Sequence, residues 1–140
     1  MYLADTSFFI SFFNSSDKNS ARAQEIFTQY FLNCSKAARP FSTDYILDET
    51  ITTIRRKKPG RPGYEDAVRA AKMIMESTLL DFRYIEEADI ASARARYVQH
   101  ADKTLSFTDW TSVAIVQRLS KHGVISFDDD FDKLGVKRVF

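Results

Sequence analysis

The chain reads as an α/β domain, a parallel sheet of four to five strands with helices on both faces. Short apolar segments of roughly five residues alternate with helical segments of roughly ten to fifteen, the rhythm of β-α-β units, which set their strands parallel. The second observation is size. With 140 residues the chain forms a single domain over its whole length, 1–140, and its 44% hydrophobic content, including 12 Phe and 6 Tyr, supplies one core. No repeat and no low-complexity segment interrupts the pattern.

The elements follow in order. Tyr2-Leu3-Ala4 is a short strand. Residues 8–13 form a short helix, which Asn14-Ser15-Ser16-Asp17 breaks. Across 19–33, Ala23, Ile26, Phe27, Tyr30 and Phe31 recur at helical spacing. Pro40-Phe41-Ser42 is a second strand. Thr43 or Asp44 caps a helix to about Lys57, with Ile46, Leu47, Thr50, Ile51 and Ile54 as its apolar stripe. Lys58-Pro59-Gly60-Arg61-Pro62-Gly63 is the strongest break. A helix from Tyr64 to Glu76, a strand from Leu79 to Ile85 and a helix from Glu86 to His100 come next. Ser106 to Lys121 is helical, Gly123 to Phe127 a fourth strand, Phe131 to Leu134 a short helix, and Val136 to Phe140 an edge strand. Strand order is not encoded in these patterns.

Composition narrows the function. A net charge of +1 announces neither nucleic acid nor membrane in bulk, so attraction for a polyanion has to come from local patches. One cysteine, Cys34, excludes an internal disulfide and a zinc knuckle. Neither His100 nor His122 has a catalytic setting. The first residues lack a basic leader and a cleavage site, and no run approaches the ~18 apolar residues of a membrane span, so a cytoplasmic location is expected.

Four acids fall where strands hand over to helices, or in the helix after a strand: Asp5, Glu49, Asp109 and Asp128. Each has a structural explanation. Asp5 sits as an N-cap, Ser106 and Asp109 are spaced as a capping box, and Asp128 precedes a short helix. Glu49 is far from either end of its helix, where an acid is most often a solvated residue, and periodicity does not choose between it and Asp48. Both lie about 130° from the centre of the apolar stripe, on opposite sides. Ligands of open α/β sheets gather beyond the carboxyl ends of the strands, so these acids are able to converge. Converged carboxylates repel and call for a cation. With no Cys or His beside them, hard oxygen ligands favour Mg²⁺ or Mn²⁺.

The motifs resemble those of PIN-domain ribonucleases, and most of all the VapC-type toxins of VapBC toxin–antitoxin pairs. The opening strand ends in Asp5-Thr6-Ser7. A helix entered through Thr43-Asp44-Tyr45 carries Glu49. Leu105-Ser106-Phe107-Thr108-Asp109 follows, and the chain closes on Phe127-Asp128-Asp129-Asp130-Phe131 before Leu134-Gly135. The resemblance implies a three-layer α/β/α sandwich and metal-dependent hydrolysis of RNA phosphodiester bonds. It also implies a homodimer and a small antitoxin partner. It selects Glu49 over Asp48 and Asp128 as the principal acid of the last motif, with Asp130 as a second contact. Trp110 departs from the small residue expected after the third acid and is expected to narrow the pocket.

On this reading Asp5, Glu49, Asp109 and Asp128 are both the metal ligands and the catalytic set, with Thr6 or Thr108 orienting water. Arg55, Arg56, Lys57, Lys58 and Arg61 form a basic run, from which Arg56, Lys58 and Arg61 are the candidate RNA contacts. A helix C-terminus attracts cations in any case. Phe8, Phe12 and Phe13 serve a core or an interface with a dimer partner or antitoxin. Related alternatives are a PIN nuclease of RNA processing outside a toxin–antitoxin pair and a non-catalytic PIN scaffold. A receiver-like signalling domain requires an acceptor Asp ending the middle strand, where this chain has Ile85-Glu86. A haloacid-dehalogenase-like phosphatase requires a second Asp two residues after the first, where this chain has Ser7.

Overall fold

A computed structural model describes residues 1–100 and 104–139. The elements are β1 (Tyr2–Ala4), α1 (Thr6–Phe13), α2 (Ser20–Phe27), β2 (Phe41–Thr43), α3 (Asp44–Lys57), α4 (Arg61–Glu76), β3 (Asp81–Arg83), α5 (Glu87–Gln99), α6 (Phe107–Arg118), β4 (Gly123–Ile125), α7 (Asp130–Lys133) and β5 (Arg138–Val139). All strand pairs are parallel, in the order β3-β2-β1-β4-β5. The expected α/β class and strand number hold. After β1 the chain builds outward through β2 and β3, then returns to the other side of β1 for β4. The order therefore reverses between β1 and β4, and such a switch point opens a crevice beyond the strand ends.

The strands are shorter than expected because their ends have other work. Phe127 donates its backbone N–H to the Ser7 hydroxyl (2.9 Å) instead of extending β4. Ile85 donates its N–H to Asp44 (2.9 Å), and Leu79 its own to Ser77 (3.1 Å), so β3 keeps only its middle. The Val136 N–H caps the helix before it through the Phe131 carbonyl (3.1 Å). Phe140 lies outside the described residues. The helix expected over 19–33 stops at Phe27 and continues as a wider turn over Thr28–Leu32. There the Thr28 hydroxyl bonds back to the Gln24 carbonyl, a contact that bends helices.

Helix α4 begins at Arg61, three residues earlier than expected. Pro62 occupies its first turn, where a missing N–H costs nothing. The break narrows to Lys58-Pro59-Gly60, with Gly60 at φ 83°. Gly63 is required by close approach: a Cβ there would lie 1.6 Å from the Lys58 carbonyl oxygen.

The core sits on the sheet. Leu3, Ala4, Phe41, Val124 and Ile125 meet Phe8, Phe9, Ile46, Val113 and Ile115 from the helices. Phe8 is fully buried and stacks on Phe31, with centroids 5.1 Å apart, while Phe12 packs against Phe27 at 4.7 Å. Core packing thus accounts for Phe8 and Phe12. Among the described residues, no helix is long and apolar enough to cross a membrane.

Candidate metal centre

The site lies at the switch point. Parallel pairing sets Ala4 beside Ile125, so the next residues, Asp5 and Ser126, leave adjacent strands side by side. The Asp5 N–H bonds to the Ile125 carbonyl (3.1 Å), and Asp5 caps α1 through the Ser7 N–H (3.2 Å). The Ser7 and Ser126 hydroxyls also donate to the same Asp5 oxygen, Oδ2, at 2.9 and 3.0 Å. The other oxygen, Oδ1, is buried and has no hydrogen-bond partner among the described residues. Burial, with the nearby charge of Glu49 adding to it, pushes the Asp5 carboxyl above the ordinary carboxylate range against the pull of the Ser7 and Ser126 bonds.

Glu49 arrives from α3, which Thr43 caps through the Ile46 N–H. Its Oε2 accepts a 2.6 Å bond from the Thr6 hydroxyl, which aims a mid-helix acid at the crevice. Asp48, its neighbour, points to solvent. The ambiguity that periodicity leaves between them is resolved by that cross-element bond.

Asp109 forms the expected capping box of α6 with Ser106. The Ser106 N–H and hydroxyl donate to Oδ2 at 2.7 and 2.9 Å, and the Asp109 N–H returns a bond to the Ser106 hydroxyl. The cap does not discharge the acid electrostatically. Burial, then the charges of Asp5 and Glu49, push the Asp109 carboxyl up to about 7. Asp128 enters on the segment after β4, its N–H held by Ser126 (3.0 Å) and its Oδ1 accepting from the Asp130 N–H (2.9 Å).

These four acids line one open cavity of about 270 Å³ together with Thr6, Ser7, Ile10, Thr53, Thr104 and Ser106. An all-oxygen donor set, a buried carboxylate oxygen without a partner among the described residues, and two carboxyls raised by burial and then by neighbouring carboxylates fit a hard divalent cation. Asp128, Asp129 and Asp130 also bring one oxygen each within 4.8 Å of one another. Asp130 does not line the shared cavity, and its carboxylate accepts a 2.5 Å bond from Lys133.

Other expected contributors are differently placed. Thr6 is a lining residue, but its hydroxyl is already given to Glu49. Thr108 is buried on α6 and is not a lining residue; Thr53 and Thr104 are the further threonines there. Trp110 does not narrow the pocket. It is buried with Ala93 and Leu105 and stacks on the His100 ring, with centroids 5.4 Å apart. In the basic run, Lys58 pairs with buried Asp66 (2.7 Å), Arg61 with Glu65 (2.8 Å), and Arg55 lies over the Tyr64 ring. Arg56 is exposed and does not line the acidic cavity.

Ser7 and Ser126 are the residues that sequence reasoning missed. Ser7, two places after a capping acid, carries a usable signal in its own N–H and hydroxyl. Ser126 carries none without the β1–β4 register.

A family model described as PIN domain matches residues 2–137. The chain is 27% identical over 139 residues to the 23S rRNA-specific endonuclease VapC20 of Mycobacterium tuberculosis, strain CDC 1551 / Oshkosh, and equally to that of strain ATCC 25618 / H37Rv. Those alignments cover 99% of this chain and 98% of each relative. The crystal structure of M. tuberculosis VapC20, described as a Sarcin-Ricin loop cleaving toxin, superposes with a TM-score of 0.85 at 25% identity, over 99% of this chain and 98% of the other. Fold, motif order and the match over nearly the whole length agree: the chain belongs to the PIN-domain family.

Proposed function

We propose that this PIN-domain protein is a divalent-metal-dependent RNA endonuclease and the toxin of a toxin–antitoxin pair, active as a homodimer and silenced by a small antitoxin protein. The observation that carries the chemistry is the convergence of Asp5, Glu49, Asp109 and Asp128 on one cavity. The full-length similarity to VapC20 supports RNA as the substrate, and a loop of the large ribosomal RNA as the first sequence to try. A non-catalytic scaffold has no use for three carboxylates crowded against their own repulsion.

Asp5, Glu49 and Asp109 would hold Mg²⁺ or Mn²⁺, with Asp128 completing the site. Such an ion supplies Lewis-acid charge to the phosphate and activates the attacking water. The protein's part is orientation. Ser7 and Ser126 engage one oxygen of Asp5 and leave the other for the cation. Thr6 fixes the Glu49 carboxylate, and Ser106 fixes that of Asp109. Outer hydrogen bonds of this kind set the position and basicity of ligands. Asp109, with its carboxyl near 7, would have to be deprotonated to serve as a ligand, so its hold on a cation would strengthen as pH rises through neutrality.

The test is cleavage of an RNA oligonucleotide carrying the sarcin-ricin loop by wild type and Asp5→Asn, with Mg²⁺ and with chelator. Metal-dependent cutting by wild type alone is expected. Equal cutting by a folded Asp5→Asn protein would overturn the proposal.

A further inference from the structure

Ile10 lines both the acidic cavity and a second cavity of about 320 Å³, whose walls include Phe13, Ile54, Lys57, Lys58 and Asp66. Phe13, Ser15, Lys58 and Asp66 lead on into a third, of about 340 Å³, which adds Arg69. Together they make a trench between the end of α1 and the α3–α4 hairpin. Three cations, Lys57, Lys58 and Arg69, line it against one buried carboxylate, Asp66, which accepts bonds from both Lys58 and Arg69. Lys57 is different. Among the described residues it makes no ion pair, and it also borders the recess shared by Ser7, Asp128 and Asp129. It stands eight residues beyond Glu49 on α3, about 12 Å along the axis at ~1.5 Å per residue.

We propose that this trench holds the single-stranded RNA flanking the cleaved bond, with Lys57 as its main phosphate contact and Lys58 and Arg69 further out. The inference rests on the ribonuclease reading above. Cations beside an apolar floor of Ile10, Phe13 and Ile54 suit a strand that offers phosphates on one side and base faces on the other. Lys57 also borders the recess that shares Ser7, Ile10 and Asp128 with the acidic cavity, which puts it beside the path of a polymer cut there. Arg61, by contrast, is engaged with Glu65.

The test is fluorescence anisotropy of a short labelled single-stranded RNA, with Ca²⁺ in place of Mg²⁺, from about 50 to 200 mM salt. Lys57→Gln should weaken binding about fivefold at ~0.1 M salt and lower the slope of log affinity against log salt by roughly 0.7, the signature of one lost phosphate contact. Lys57→Arg should restore both. Lys36→Gln, an exposed cation before the start of β2 at the opposite end of the sheet, serves as control and should change neither. Unchanged affinity and slope in a folded Lys57→Gln protein would overturn the proposal, as would an equal loss in Lys36→Gln. Intact RNA binding with weakened binding of a polyglutamate peptide would overturn it too, and would assign the trench to an acidic protein segment. Lys57-dependent binding by a wild type that never cuts RNA would uphold the trench and sink the nuclease reading alone.

Discussion

Asp109, through its raised carboxyl, should make the metal-free protein less stable as pH rises. Its carboxyl is raised from 3.8 to about 7, so the folded state holds the proton more tightly than the unfolded chain does. Its contribution is full below pH 3.8 and is lost as pH rises through about 7. At ~1.4 kcal/mol per pH unit, that interval corresponds to at most about 4 kcal/mol above pH 7. Asp109→Asn removes the charge and keeps an acceptor for Ser106, but the charge-assisted bonds to the Ser106 N–H and hydroxyl weaken by about 1 kcal/mol. The carboxylate also partly faces the open cavity, where water screens it. The net expectation in chelator is that the variant is about 1–3 kcal/mol more stable than wild type at pH 8.5, a rise in Tm of roughly 3–10 °C. The two should converge as pH falls toward 4. Saturating Mg²⁺ should reverse the order, because a ligand at a thousandfold its Kd adds about 4.1 kcal/mol to the state that binds it. Thermal melts of both proteins at several pH values, with and without metal, measure this. A gap between them that stays constant from pH 5 to 8.5 would refute the reasoning.

Three further outcomes follow from particular contacts. Glu49→Gln should abolish RNA cleavage while Asp48→Asn retains most of it, since Glu49 lines the cavity and Asp48 is exposed; the reverse pattern in a cleavage assay would remove Glu49 from the site. Thr6→Val should weaken metal affinity about 10- to 100-fold by releasing Glu49, and calorimetric titration showing wild-type affinity would reduce the 2.6 Å bond to a packing detail. Gly63→Ala should cost more than about 1 kcal/mol, because its Cβ would strike the Lys58 backbone rather than a flexible side chain, and an unchanged Tm would contradict that crowding.

The parts of the fold legible in the sequence are those written in local chemistry. Alternating strands and helices mark the class, Thr43 marks the start of α3, and Ser106 with Asp109 marks that of α6. What the sequence conceals depends on register and on contacts across the fold. Ser126 meets Asp5 only because β4 pairs with β1, a neighbour 121 residues away in the chain. Glu49 is distinguished from Asp48 by a hydroxyl 43 residues earlier, which no helical wheel contains. The basic run is similarly divided by tertiary partners. Glu65, Asp66 and Tyr64 engage Arg61, Lys58 and Arg55, and Lys57, which blends into the run in sequence, is the one that reaches the recess beside Asp128. The motif resemblance finds the four acids because it carries the outcome of such contacts. It does not reveal why Asp5 keeps one oxygen without a partner.

The claim that four scattered carboxylates act as one divalent-metal centre is tested most directly by Mn²⁺ titration followed by electron paramagnetic resonance, on wild type and on Asp5→Asn, Glu49→Gln and Asp109→Asn. Saturable binding to wild type that Mg²⁺ competes away is expected, with a large loss of affinity in each folded variant. Mn²⁺ binding of the same affinity and stoichiometry in all four proteins would contradict it.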